Sequence, residues 1–177
     1  MNSRFFMAVL TITCALGSAV PAAADECTGF KWDVSKEHAL FLGSSTAVTA
    51  ASSAVSAPTL VTNRLYLLQL SPQSSVAFAV PPGKTVPAED AYAGLAVLQL
   101  GAAGNYRVSV DVPLWIDVVS GAKLLPPVDY QGQRDCSAPH KIVEFDLAGG
   151  SSYVLQISGS NTTNVRLAVT PAPVRTN

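Results

Sequence analysis

The sequence predicts an all-β protein, an antiparallel β-sandwich of jelly-roll-like form with one short N-terminal helix. Three observations predict it. After Leu60 the apolar residues alternate with polar ones at period 2, the mark of strands buried on one face. The alternating runs are short, and Gly, Pro, Ser and Asn separate them, as turns require. The composition is 49% hydrophobic and only 13% charged, with a mean hydropathy of +0.31. That balance excludes a disordered chain and leaves ample material for a core.

The chain opens with a leader. One positive charge at Arg4, 16 mostly apolar residues from Phe5 to Val20 and a Pro21-Ala22-Ala23-Ala24 end make a secretory signal peptide over residues 1–24. The expected product is periplasmic or secreted. Arg4 is the only charge in that segment, so 153 residues remain, with 10 basic and 12 acidic side chains. No later run approaches the 18 apolar residues of a membrane span. There is no basic stripe to supply affinity for nucleic acid. Residues 25–177 therefore read as one β-sandwich domain, expected to be monomeric.

Three cysteines occur, and Cys14 leaves with the leader. Cys27 and Cys136 remain in an oxidising compartment, where a leftover pair is most simply one disulfide. It would close a loop of about 110 residues, a constraint that chain entropy values at about 4–5 kcal/mol.

Trp32–Phe41 reads as the helix, with Asp33 or Ser35 as cap and Glu37 in its first turn. From Gly43 to Leu60, 13 of 18 residues are Ala, Ser or Thr and none is charged. That stretch, 43–60, is a loop or an edge strand, with Thr46–Ala50 as its best strand and Val48 and Val55 available for burial. Three segments then share one template: Leu68-x-Leu70 to Val76-x-Phe78-x-Val80, Leu98-x-Leu100 to Tyr106-x-Val108-x-Val110, and Phe145-x-Leu147 to Tyr153-x-Leu155-x-Ile157. Each has five turn-rich residues in the middle and predicts a β-hairpin. Leu114–Val119 and Val165–Val169 are further strands, and the tail 171–177 should be loose.

Candidate chemistry is sparse. His38 and His140 are the only histidines, 102 residues apart. With Glu37 and Asp135 they could form a patch able to hold Zn²⁺, but their spacing matches no metal motif. Cys136-Ser-Ala-Pro-His140 resembles the copper loop of cupredoxins, yet the chain after residue 24 has no methionine for an axial ligand. No Gly-x-Ser-x-Gly occurs, and Pro81-Pro82-Gly83-Lys84-Thr85 ends like a phosphate loop without its first glycine. No cofactor or metal is expected. Asn161-Thr162-Thr163 has the form of a glycosylation sequon on a turn. Glu144 and Asp146 alternate with Val143, Phe145 and Leu147, and so read as the solvent face of a strand. In Leu114–Val119, Trp115 and Asp117 share one face and Leu114, Ile116 and Val118 the other. If the second set is core, Trp115 and Asp117 stand outward together as a recognition surface; if not, Trp115 fills the core.

Two resemblances follow from particular residues. Phe145-Asp146-Leu147-Ala148-Gly149-Gly150, Tyr153-x-Leu155-x-Ile157 and Val165-x-Leu167-x-Val169 resemble bacterial pre-peptidase C-terminal domains. That implies a small secreted β-sandwich with no catalytic residues of its own. Phe30-Lys31-Trp32-Asp33-Val34-Ser35-x-Glu37-x-Ala39-Leu40-Phe41, with Trp115-Ile116-Asp117-Val118-Val119, Cys136 and His140-Lys141-Ile142-Val143-Glu144-Phe145, resembles an uncharacterised family of small exported proteobacterial proteins. Some members carry the label homogentisate 1,2-dioxygenase. That enzyme is a much longer cytoplasmic cupin holding iron with two His and a Glu, a motif not legible here, so its activity is not carried over.

The expectation is a non-catalytic binding or envelope-accessory module, whose partner is an unidentified ligand or envelope protein. Trp115, Asp117, His38 and His140 are its candidate binding residues. The competing readings are a small metalloprotein or enzyme using His38 and His140, and a subunit of a larger envelope complex.

Overall fold

The computed structural model describes residues 29–174 apart from Val86 and Ala88. The expected signal peptide, Cys27 and residues 175–177 of the tail lie outside the described residues. One helix, α1 (Ser35–Phe41), precedes twelve strands: β1 (Thr46–Thr49), β2 (Thr59–Leu60), β3 (Leu65–Gln69), β4 (Ser71–Pro72), β5 (Tyr92–Gln99), β6 (Gly104–Val110), β7 (Trp115–Ser120), β8 (Lys123–Leu125), β9 (Asp129–Gly132), β10 (Lys141–Leu147), β11 (Ser152–Ser160) and β12 (Asn164–Pro171). They form two six-stranded sheets, one ordered β1-β3-β12-β6-β10-β9 and the other β2-β5-β11-β7-β8, with β4 also on β5.

The fold class is the expected one, an all-β sandwich with a single helix. Its core lies between the sheets and draws on the inward-facing set of each long strand. Val108, Val110, Phe145, Leu147 and Leu167 from the first sheet meet Leu98, Ile116, Val118, Leu155 and Ile157 from the second. All are 4% exposed or less. Burying one such side chain contributes roughly 1.5–3 kcal/mol. Alternation in the sequence thus identifies the core face correctly.

Pairing departs from expectation. The turn after Leu100 carries the chain from β5 in the second sheet to β6 in the first, and the turn after Leu147 carries it from β10 to β11 across the core. These are arches, not hairpins. The remaining template fails differently: β3 gives way to β4 on the other sheet, and Val76–Val80 enters no strand, touching Ser53 only through the isolated bridge at Ala77. A hairpin and an arch present the same inward-facing residues, so alternation cannot separate them. The strands that do pair with their neighbour in sequence are β4 with β5, β7 with β8 and β9 with β10.

Both sheets are also mixed rather than purely antiparallel, because β1 runs parallel to β3 and β2 parallel to β5. The chain leaves β1 for β2 on the opposite sheet before returning as β3, and such a crossover is what parallel pairing needs. The Ala/Ser/Thr-rich stretch is therefore an edge, and it serves both sheets. Ala50 N–H donates to Gln69 O at 3.0 Å, and Ala51 exchanges two 2.9 Å bonds with Leu95. Val48 packs on the core, whereas Val55 is fully exposed. Ser71-Pro72, Ala51 and Thr59-Leu60 meet successive positions along β5, covering most of an edge that would otherwise offer bare backbone groups.

Helix α1 lies on the outer face of the first sheet, where Phe41 packs with Leu65 and Ala168. Val34 precedes it, so neither Asp33 nor Ser35 is the cap itself; Asp33 Oδ1 accepts the Ser35 N–H at 2.9 Å. Its cover overturns the reading of Glu144 as a solvent-facing residue. Glu144 is fully buried, while Asp146 two residues on is exposed. Arg107 Nε meets Glu144 Oε2 at 3.2 Å, and Arg107 Nη1 lies 3.6 Å from Glu37 Oε2 and donates to Asp33 O at 2.8 Å. Thr170 hydroxyl bonds Glu37, and Trp32 stacks 4.7 Å from the guanidinium. Arg166 fastens the far end of the helix, bonding Phe41 O, Ser137 O and Asp111.

Candidate functional site

On the edge opposite β1, the sandwich is open. Strand β8 pairs only with Val118–Ser120, which leaves the Trp115–Asp117 end of β7 without a strand on that side among the described residues. Strand β9 pairs with Lys141–Glu144 of β10 and leaves Phe145–Leu147 without a strand on that side among the described residues. Between these shortened edges lies a cleft of about 230 Å³. Ile116, Leu125, Pro127, Val143 and Phe145 give it apolar walls, and Trp115, Asp117, Tyr130 and Lys141 stand at its rim.

Trp115 is on the outer face, because Leu114, Ile116 and Val118 belong to the core. It is half-buried, and Asp117 is 7% exposed. The indole Nε1–H donates to Asp117 Oδ1 at 2.9 Å, which fixes the ring. Asp117 Oδ2 accepts the Gly83 N–H at 3.0 Å. Directly across the ladder, buried Gln156 accepts from Ala79 N–H and Val80 N–H at 2.7 and 3.2 Å. Neighbouring polar side chains on β7 and β11 thus strap residues 79–83 over the second sheet. The strap brings Lys84 to the indole, 5.7 Å from the ring centroid.

Lys141 approaches the same ring from the first sheet, at 5.1 Å, and its ammonium donates to Leu114 O at 3.0 Å. Burial, and then the nearby Lys84 charge, hold it below the ordinary lysine pKa, while Asp117 acts the other way. Cations near an indole face are attracted by about 0.5–2 kcal/mol. A second hollow, about 290 Å³, lies beside the cleft and is lined by Lys84, Pro113, Leu114, Trp115, Lys141 and Gly159.

Of the expected site residues, Trp115 and Asp117 come together and border the cleft. The histidines do not line it. His38 is on α1, with Nδ1 2.8 Å from Ala138 O, and His140 borders a neighbouring hollow with Gln131, Gln133 and Arg134. Glu37, expected beside them, is 1% exposed and committed to Arg107, and Asp135 is exposed. Among the described residues no three His, Cys, Asp or Glu side chains gather to hold a metal. Cys136 is buried, and its Sγ accepts the Ala138 N–H at 3.3 Å; its expected partner Cys27 lies outside the described residues.

Lys84, Lys141 and Tyr130 escaped the sequence reading. For Lys141 a signal existed. Residues 141, 143, 145 and 147 share a face, so Lys141 stands at the mouth of an otherwise apolar inward row. Among the described residues no helix is long and apolar enough to cross a membrane. Compared with family models and with curated proteins, the chain matches none.

Proposed function

We propose that this chain is an exported, non-catalytic β-sandwich that binds a small ligand in the edge cleft, acting as a periplasmic or secreted binding module. One observation carries the reading: an apolar cleft, left open by two short strands, with a fixed indole and a partly buried lysine at its rim. Sites of this kind combine apolar walls with a few polar groups that set orientation. Tyr130, 67% exposed, and the exposed Leu124 and Val128 continue the apolar surface outside it. Membership of the exported family that the Trp32 and Trp115 phrases resemble belongs to the same proposal.

The test is a saturation-transfer NMR screen of small apolar and amphiphilic compounds against the mature protein, repeated on Leu125→Trp. Hits that vanish in the variant are expected. An empty screen, or hits indifferent to a tryptophan in the cleft wall, would count against the site.

Export carries the disulfide proposal with it. Lys31 N–H donates to Gln131 Oε1 at 2.7 Å, and Gly29 packs so closely on Gln133 that a Cβ there would fall 2.1 Å from its amide. Cys27 stands two residues before Gly29, and Cys136 three after Gln133. Mass spectrometry of the unreduced mature protein is expected to find neither cysteine alkylatable; two alkylated thiols would refute the bond.

A further inference from the structure

Resting on that reading of the cleft, we propose that its ligand is a small amphiphilic anion, a single carboxylate on an apolar body, with the body in the cleft and the carboxylate between Lys84 and Lys141. Two ammonium groups meet on one ring. Lys84 comes from the strap and Lys141 from the opposite sheet, yet both reach Trp115. Like charges gathered this way repel, and the fold offsets them only in part. The ion pairs formed among the described residues join Arg107 and Arg166 to carboxylates and involve neither lysine. Asp117 is the nearby acid, but each of its oxygens already accepts a bond from an uncharged donor, the indole or Gly83. Its one negative charge stands against two ammonium groups, so the cluster keeps a net positive charge.

The two hollows are contiguous through shared walls. Trp115 and Lys141 line both the apolar cleft and the smaller polar recess that Lys84 borders. A ligand spanning them therefore meets hydrocarbon on one side and two ammonium groups on the other. An ammonium with a single bond to Leu114 O keeps two donors for an incoming oxygen. Size limits the body. An enclosed apolar cavity of about 150 Å³ takes a benzene, so about 230 Å³ admits one ring or a short aliphatic chain. A cationic or uncharged amphiphile of the same length would gain the apolar contact without the charge.

The experiment uses the mature protein and three eight-carbon probes, octanoate, octanol and octylammonium, each below its aggregation concentration. The indole N–H signal of Trp115, assigned with Trp115→Phe, reports binding. Octanoate is expected to bind at least tenfold more tightly than octanol, and octylammonium more weakly than either. Lys84→Gln, on an exposed residue outside the core, should reduce the octanoate advantage severalfold, and Lys84→Gln with Lys141→Gln should abolish it. Octanol binding as tightly as octanoate, or an advantage unchanged in Lys84→Gln, overturns the anion while leaving the cleft. If no probe binds, the cleft reading itself fails, and this inference with it.

Discussion

Arg107 and Lys141 show how much a single charge depends on what lies over its strand. Arg107 is 3% exposed, and its guanidinium serves Glu37, Glu144, Asp33 O and the Trp32 ring at once. Replacing it with methionine would leave two buried carboxylates without their shared cation. Loss of a buried partner costs about 3–5 kcal/mol; urea unfolding of Arg107→Met should show a loss of that order, and one below about 1 kcal/mol would contradict the network. Lys141 gives a pH dependence. Its folded-state pKa lies below the ordinary lysine value of 10.5, through burial first and Lys84 second. Between the two values the unfolded chain binds the proton that the folded chain has released, so this lysine's contribution to stability rises with pH there. Thermal unfolding between neutral and alkaline pH should show that slope, and Lys141→Met should flatten it; an equal slope in the variant would refute the assignment. Asp33 gives a slope of the same sign in the acid range. Its carboxyl is held low mainly by the Ser35 backbone N–H, so its contribution is present above 3.8 and lost as pH falls further. The sequence exposes half of this: Trp-x-Asp places Trp115 and Asp117 on one face, but does not say whether that face is core or surface. The burial of Glu144 is not legible, because its cover, Glu37, comes from more than a hundred residues upstream.

At the scale of elements, strands and core faces were legible and their partners were not. Leu98, Leu100, Tyr106 and Val108 are inward in either a hairpin or an arch, and only the path of the turn decides which forms. Five residues can bridge neighbouring strands or cross the core, and nothing local in Gly101–Asn105 selects between them. The Ala/Ser/Thr-rich edge reads as loop or strand alike for a related reason. Its small residues fit a close approach that a single sequence does not display. Gly94 marks that approach: a Cβ there would lie 2.5 Å from Ala50 Cβ and 3.1 Å from Leu70 Cδ2. Gly94→Ala should therefore push the Ala50–Ala51 segment off β5. A loss of about 1–3 kcal/mol is expected for such overpacking, with faster amide exchange at Ala51 and Leu95, whose mutual bonds would lengthen. A neutral effect with unchanged exchange at those two amides would contradict the close packing of this edge.

The whole molecule is asymmetric in how it closes. One long side is sewn shut by short strands and bridges running between the sheets, and α1 and the strap cover the two outer faces. The other side ends in β8 and β9, which are too short to complete their sheets, and the cleft is the consequence. Low charge and an alternating pattern predict a sandwich with few polar sites; the structure buries one charged network under α1 and gathers Lys84, Lys141 and Asp117 around the Trp115 indole. On the proposed function, a ligand sits at this open edge. Amide and indole shift mapping of the ¹⁵N-labelled protein during an octanoate titration decides it. Saturable shifts at the Trp115 indole, Leu125, Tyr130, Lys141 and Val143, with the β1 side unchanged, are the predicted result. Shifts spread evenly over both sheets, or centred on His38 and His140 instead, would contradict it.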